Sequence, residues 1–136
     1  YKVTYKNAKK NIGTYKATIS FYNNYSGSKT ISYQVIPKNS SIKSVKALKK
    51  SFSVNWKSLS TKMPTTRISG YQIQYSDNSK FSKAKTVSIL GYKKTSTTIK
   101  KLKSNKTYYV RLRTTIKNNS KTYYSEWSKV KSVKTK

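Results

Sequence analysis

Apolar and polar side chains alternate one by one along much of this chain. Tyr1, Val3 and Tyr5 alternate with Lys2, Thr4 and Lys6. After a turn-forming stretch at 7–11, Gly13, Tyr15, Ala17, Ile19 and Phe21 alternate with Thr14, Lys16, Thr18 and Ser20. A second turn cluster at 23–27 leads to Ile31, Tyr33 and Val35, separated by Ser32 and Gln34. A period of two places successive side chains on opposite faces of a strand, so this region predicts three half-buried strands with polar outer faces. Pro37 and Lys38–Ser41 interrupt the alternation. They are read as the boundary between a unit at 1–37 and a longer one at 38–136.

The second unit carries a longer series. Ile42, Val45 and Leu48 mark a first strand, and Phe52, Val54 and Trp56 a second. Tyr71, Ile73 and Tyr75 form a third, entered at Gly70 and left through the turn residues 76–79. Val87 with Ile89, and Thr97 with Ile99, give a fourth and a fifth. Tyr108, Val110 and Leu112 line a sixth, with Tyr109, Arg111 and Arg113 facing the other way. Val130 and Val133 belong to a seventh, where the odd spacing implies a bulge or a register that the sequence leaves open. Seven short strands with turns between them predict an all-β fold, a β-sandwich preceded by a partial sheet. No stretch has helical periodicity. No apolar run nears the ~20 residues of a membrane-spanning helix. The chain starts at Tyr1 and not Met, as expected of a processed or cut boundary.

Composition changes the picture most through charge. Thirty-one residues are Lys or Arg and two are acidic, Asp77 and Glu126, for a formal net charge of +29. A surface positive nearly everywhere attracts polyanions and repels itself. The hydrophobic content of 34% would permit disorder at this charge, but 18 aromatic residues in a two-residue period point to a folded chain.

The chain has no His and no Cys. Cys–His and Ser–His–Asp nucleophilic sites are therefore excluded, as is zinc held by thiolate or imidazole. Asp77 and Glu126 are formally a carboxylate pair for glycoside hydrolysis, but both fall at turns or strand ends, where neither carboxyl is set up for that work. No G-x-S-x-G elbow singles out a serine. The expectation is a non-enzyme with no metal and no cofactor.

Residues 41–136 resemble a fibronectin type III domain of the bacterial extracellular kind. The resemblance rests on Trp56, on the strand Gly70-Tyr71-Gln72-Ile73-Gln74-Tyr75-Ser76, and on Leu102 followed six residues later by Tyr108. It also rests on the core strand Tyr108–Arg113 and on Ser125-Glu126-Trp127-Ser128 before the last strand. The family's usual Pro after the corner Leu is replaced here by Lys103-Ser104. Residues 1–37 are similar to the last third of a bacterial immunoglobulin-like repeat, through Tyr1–Asn7, Asn11–Tyr15 and Asn24–Gly27. Together the resemblances imply a secreted or wall-attached repeat protein of a low-GC Gram-positive bacterium.

Alternation places Trp56, Tyr71, Ile73, Leu102, Tyr108, Val110 and Leu112 in the core, with the Tyr108 hydroxyl expected to donate to a nearby carbonyl. Lys103, Lys106, Arg111 and Arg113 are the strongest local basic cluster and the candidate polyanion contacts. Trp127 is read as packing on basic side-chain stems in a cation–π ladder, with ligand stacking on an aromatic platform as the alternative. No Arg-Gly-Asp tripeptide is present, and the sequons at Asn24, Asn39, Asn105 and Asn118 are read as chance in an Asn- and Ser-rich chain. No recognition helix, zinc knuckle or basic zipper supports sequence-specific nucleic-acid binding.

The reading that follows is a non-catalytic extracellular or cell-wall-associated module, a spacer or adhesive segment. Its basic surface would contact anionic polymers such as teichoic acid or acidic polysaccharide. Two alternatives stay open: a carbohydrate-binding module for a neutral glycan, and a filament subunit completed by strand exchange through residues 1–37. Lost upstream sequence is the favoured explanation of that unit's missing half.

Overall fold

The computed structural model describes residues 2–5, 12–21, 26–60 and 67–136, with only the backbone of 2–5. Tyr1, the turn at 7–11 and the Asn24 sequon lie outside the described residues. Eleven strands are present among them: β1 Lys2–Tyr5, β2 Gly13–Ser20, β3 Ser28–Val35, β4 Ile42–Leu48, β5 Ser51–Trp56 and β6 Gly70–Ser76. β7 Lys85–Leu90, β8 Ser96–Ile99, β9 Thr107–Asn118, β10 Lys121–Tyr124 and β11 Lys131–Lys134 complete the series.

The first three strands make an antiparallel sheet in the order β1-β2-β3. Tyr15 pairs with Tyr33, their rings 5.7 Å apart, and Ala17 is buried. The apolar face is covered only in part. Ile12 and Val35 join the main hydrophobic cluster, whereas Phe21 and Ile31, both expected on the inner face, are 41% and 42% exposed. Two further sheets face each other across that cluster. One is β4-β5-β8; the other runs β7-β6-β9, with both β10 and β11 paired to β9.

The core forms because strict alternation on β5, β6 and β9 sends every second residue inward. Phe52, Val54, Trp56, Ile73, Val110 and Leu112 are at most 1% exposed. The Trp56 ring lies 5.3 Å from Tyr71, and Phe52, Tyr75 and Tyr108 form a trio with centroids 6.0–6.3 Å apart. Leu102 is half-buried against the same cluster. Burying aromatic and aliphatic side chains of this size contributes about 1.5–3 kcal/mol each.

Three details depart from the sequence expectation. The Tyr108 hydroxyl accepts a hydrogen bond from the Lys103 backbone N–H at 3.2 Å, where donation to a carbonyl was expected. Corner tyrosine and loop are linked as foreseen, with the opposite polarity. The three-residue spacing of Ile42 and Val45 is reconciled by a register shift between Ile42 and Ser44, which puts Ile42 opposite Trp56 and Val45 opposite Val54. The seventh strand read from Val130 and Val133 is β11, and a further strand not foreseen, β10, precedes it across residues 125–130. Val130 is 47% exposed and outside both, while Val133 is buried on β11.

Gly70 opens β6 for a steric reason. A Cβ built there would stand 2.0 Å from the Ile89 carbonyl oxygen across the β6–β7 pair, a distance no side chain tolerates.

Candidate functional site

Arg111 and Arg113 stand two residues apart on the outer face of β9, about 6.8 Å apart along a strand. That is close to twice the thickness of an aromatic ring. The neighbouring strand β6 presents Gln74 opposite Arg111 and Gln72 opposite Arg113. The Gln74 Oε1 atom accepts from Arg111 Nε at 2.8 Å and from a second guanidinium nitrogen, and Gln72 Oε1 accepts from Arg113 at 2.9 and 2.7 Å. Each fork is thus held by a single amide oxygen, and the guanidinium planes are set for stacking.

Aromatic rings fill the spaces between them. Trp127 lies 4.6 Å from the Arg111 guanidinium carbon and 4.3 Å from that of Arg113. Phe81 covers Arg111 at 4.1 Å and Tyr124 covers Arg113 at 3.8 Å. The order along the face is Phe81, Arg111, Trp127, Arg113, Tyr124. Phe81 reaches its place from a left-handed backbone conformation, φ 57°, its N–H bonded to the Asn78 carbonyl at 2.9 Å. A bulky residue held there costs of order 1 kcal/mol, which the ring contact offsets. Burial lowers the pKa of both arginines, and for Arg113 the Tyr124 hydroxyl opposes that shift while Arg111 adds to it.

The interrupted last strand explains how Trp127 gets there. Ser125 and Ser128 each donate a backbone N–H to β9, to Thr114 O at 3.0 Å and Leu112 O at 2.7 Å. The reciprocal bonds of a ladder are made by side chains: Ser125 Oγ accepts the Thr114 N–H and Ser128 Oγ accepts the Leu112 N–H, both at 2.9 Å. Serine hydroxyls standing in for backbone carbonyls keep the buried N–H groups of β9 satisfied while the chain bows outward. Trp127 is carried on that bow, half-buried between the arginines.

The ladder anticipated for Trp127 is therefore present, and its closest ring partners are protein cations instead of open solvent. Of the four basic candidates, Arg111 and Arg113 come together in it. Lys106 is 3.4 Å from Asp77 in an ion pair. Lys103 lines a separate cavity of about 320 Å³ at the end of the sandwich, with Lys83, Lys85, Lys101 and Asp77. Sequence reasoning missed Phe81, Gln72, Gln74 and Tyr124. An R-x-R pair on a strand beside a Q-x-Q pair was the available signal for the glutamines; nothing in the sequence placed Phe81.

A larger cavity, about 480 Å³, opens where residues 38–41 meet the end of β5 and the segment 128–131. Lys38, Lys57, Lys129 and Lys131 line it with Asn39, Ser40 and Ser41. Among the described residues no group of three or more His, Cys, Asp or Glu could hold a metal ion, and no helix is long and apolar enough to cross a membrane.

Comparison with known proteins agrees with this architecture. The fibronectin type III domain family matches residues 35–131. A solved myokine structure is 18% identical with a TM-score of 0.57, over 73% of this chain and 97% of that one. The chicken CNTN1 crystal structure of domains FN1-FN3 is 22% identical with a TM-score of 0.58, over 91% of this chain and 42% of that one. The fn3 domain of human contactin 1 is 18% identical with a TM-score of 0.56, over 74% and 78%. No curated protein matches the chain. Modules with this fold are generally non-catalytic spacer or binding units and are usually extracellular. With the family matched over most of the chain, and its two-sheet sandwich and corner tyrosine in place, this protein belongs to the fibronectin type III domain family.

Proposed function

We propose that this chain is an extracellular module of a bacterial surface or secreted protein. It serves as a spacer or adhesive segment that holds its neighbours against anionic polymers of the cell wall or of a host, such as teichoic acid or acidic polysaccharide. The observation that carries the reading is a charge of +29 with two acidic side chains, one of which, Asp77, is already paired with Lys106. Solubility needs far less charge than this and is better served by mixed signs. The Trp127 ring, the best aromatic candidate for stacking a neutral sugar, is engaged by Arg111 and Arg113, which favours the electrostatic reading over the glycan module. In this reading β1–β3 are the end of a preceding immunoglobulin-like repeat, with Phe21 and Ile31 exposed where the rest of that repeat would pack.

Retention on purified wall polymer, followed against salt, tests the proposal. Affinity is expected to fall linearly in log–log form, with a slope of about −0.7 to −0.9 per phosphate contacted. Binding to starch should be weak and nearly salt-independent. Strong retention on starch at ~0.5 M salt, where charges are screened beyond a few ångströms, would refute it.

A further inference from the structure

We infer that the cavity between residues 38–41, the end of β5 and residues 128–131 is a binding site for the phosphate groups of an anionic polymer. The inference rests on the polyanion reading above and gives it an address. Four lysines, Lys38, Lys57, Lys129 and Lys131, surround one concavity, and no carboxylate is among the residues that line it. Like charges gathered round a common space repel one another, and an anion seated between them converts that repulsion into attraction. A volume of about 480 Å³ is in the range of ligand clefts and holds a phosphate together with the adjoining part of its polymer.

The walls are built rather than accidental. Three of the four lysines have their backbone carbonyls fixed by a hydroxyl from another residue. Thr114 Oγ1 donates to Lys38 O at 2.8 Å, Ser40 Oγ donates to Lys57 O, and Ser128 Oγ donates to Lys129 O at 3.0 Å. The Lys57 N–H closes the junction by donating to Ser41 O at 3.0 Å. The backbone of Lys38, Lys57 and Lys129 is therefore pinned on three separate segments that meet at the cleft. The Trp127 ladder contributes indirectly, because it anchors the bow that carries Lys129.

The residue types suit phosphate. No arginine, whose fork suits carboxylate and phosphate alike, lines this cleft. Lysine binds phosphate as a point charge, and Asn39 and Ser41 add neutral donors at the rim.

The probe is a synthetic poly(glycerol phosphate), titrated into the ¹⁵N-labelled 136-residue protein at ~0.1 M salt. Two triple variants of equal charge are compared: K57Q/K129Q/K131Q in the cleft, and K43Q/K46Q/K94Q at exposed positions outside it. The cleft variant is expected to bind at least ~10-fold more weakly than the control, with wild-type shift changes concentrated at 38–41, 57 and 128–131. Unchanged melting of both variants confirms that the loss is not one of folding. Equal losses in the two variants overturn the cleft while leaving the polyanion reading intact. No binding by the wild-type protein overturns both. Polyglutamate of matched charge should separate the variants by less than ~3-fold, and equal discrimination on that polymer overturns the choice of phosphate.

Discussion

Replacing Trp127 by alanine removes the central ring of the ladder and leaves two partly desolvated guanidiniums facing a gap. Each contact, at 4.6 and 4.3 Å, is worth about 0.5–2 kcal/mol depending on how dry it is. The ring is half-buried, so roughly 100 Å² of apolar surface returns to water, about 2.5 kcal/mol at 25 cal/mol per Å². Arginine stems can relax into part of the space, and a net loss of about 2–4 kcal/mol is expected. For a domain of this size that is roughly 10–20 °C in Tm. Urea denaturation followed by far-UV circular dichroism measures it. Trp56 is then the remaining tryptophan, and its fluorescence reports the core independently. Trp127→Phe keeps a ring between the arginines and should recover about half of the loss. A loss below ~1 kcal/mol, or equal losses for Phe and Ala, would show that the stack contributes little and that Trp127 is a surface residue.

Gly70→Ala places a Cβ 2.0 Å from the Ile89 carbonyl and should cost about 3 kcal/mol or more, since only backbone movement relieves it; a loss under ~1 kcal/mol in urea would mean the strands part easily. Ser128→Ala leaves the buried Leu112 N–H without its acceptor, an expected ~1–3 kcal/mol, and amide exchange at Leu112 should accelerate while that at Val110 changes less. R111K/R113K keeps the charge but loses the planar stack, so stability should fall by about 1–3 kcal/mol with polyanion affinity changed by less than ~3-fold; a large drop in affinity would assign the arginines to the ligand. Burial raises the pKa of Tyr71 and of Tyr75, the neighbouring Tyr108 adding to the rise at Tyr75. The folded state therefore holds protons that the unfolded state releases near the ordinary tyrosine value of about 10, so this stabilisation is complete below pH ~10 and is lost as pH rises through the folded values. Between pH 9 and 11.5 the wild-type protein should lose stability relative to Tyr75→Phe; parallel curves would contradict the assignment.

The sandwich was legible because β5, β6 and β9 are buried on one face and keep strict alternation. Trp56, Ile73, Val110 and Leu112 each stand where a two-residue period puts them. The last strand was less legible because its physics is not periodic. Ser125 and Ser128 pair with β9 through hydroxyls three residues apart, so hydrophobicity carries no trace of the pairing, and Val130 drew the strand to the wrong place. Ile42 and Val45 were read onto one strand despite their odd spacing, and a bulge supplies the missing residue. The first unit was legible as strands but not as a filled layer, because alternation reports which face is apolar and not whether anything covers it. Exposure at Phe21 and Ile31 follows from that difference.

The ladder itself shows how this chain divides its cations between two jobs. Three of its thirty-one basic residues are arginine, and all three lie over aromatic rings: Arg67 is 4.9 Å from Tyr92, and Arg111 and Arg113 hold the stack. Arginine is weakly hydrated, planar and permanently charged, so it can be half-buried against a ring at small cost. Lysine has a strongly hydrated point charge on a flexible stem, and it makes up the rest. The separation has a physical consequence. The charges of Arg111 and Arg113 lie half-buried among glutamine oxygens and rings, whereas Arg67 is exposed and most of the field that reaches solvent comes from lysine. Of the sequence candidates, Arg111 and Arg113 have internal neighbours. The cleft of Lys38, Lys57, Lys129 and Lys131 is assembled from segments almost a hundred residues apart, and only the closing of the sandwich brings them together.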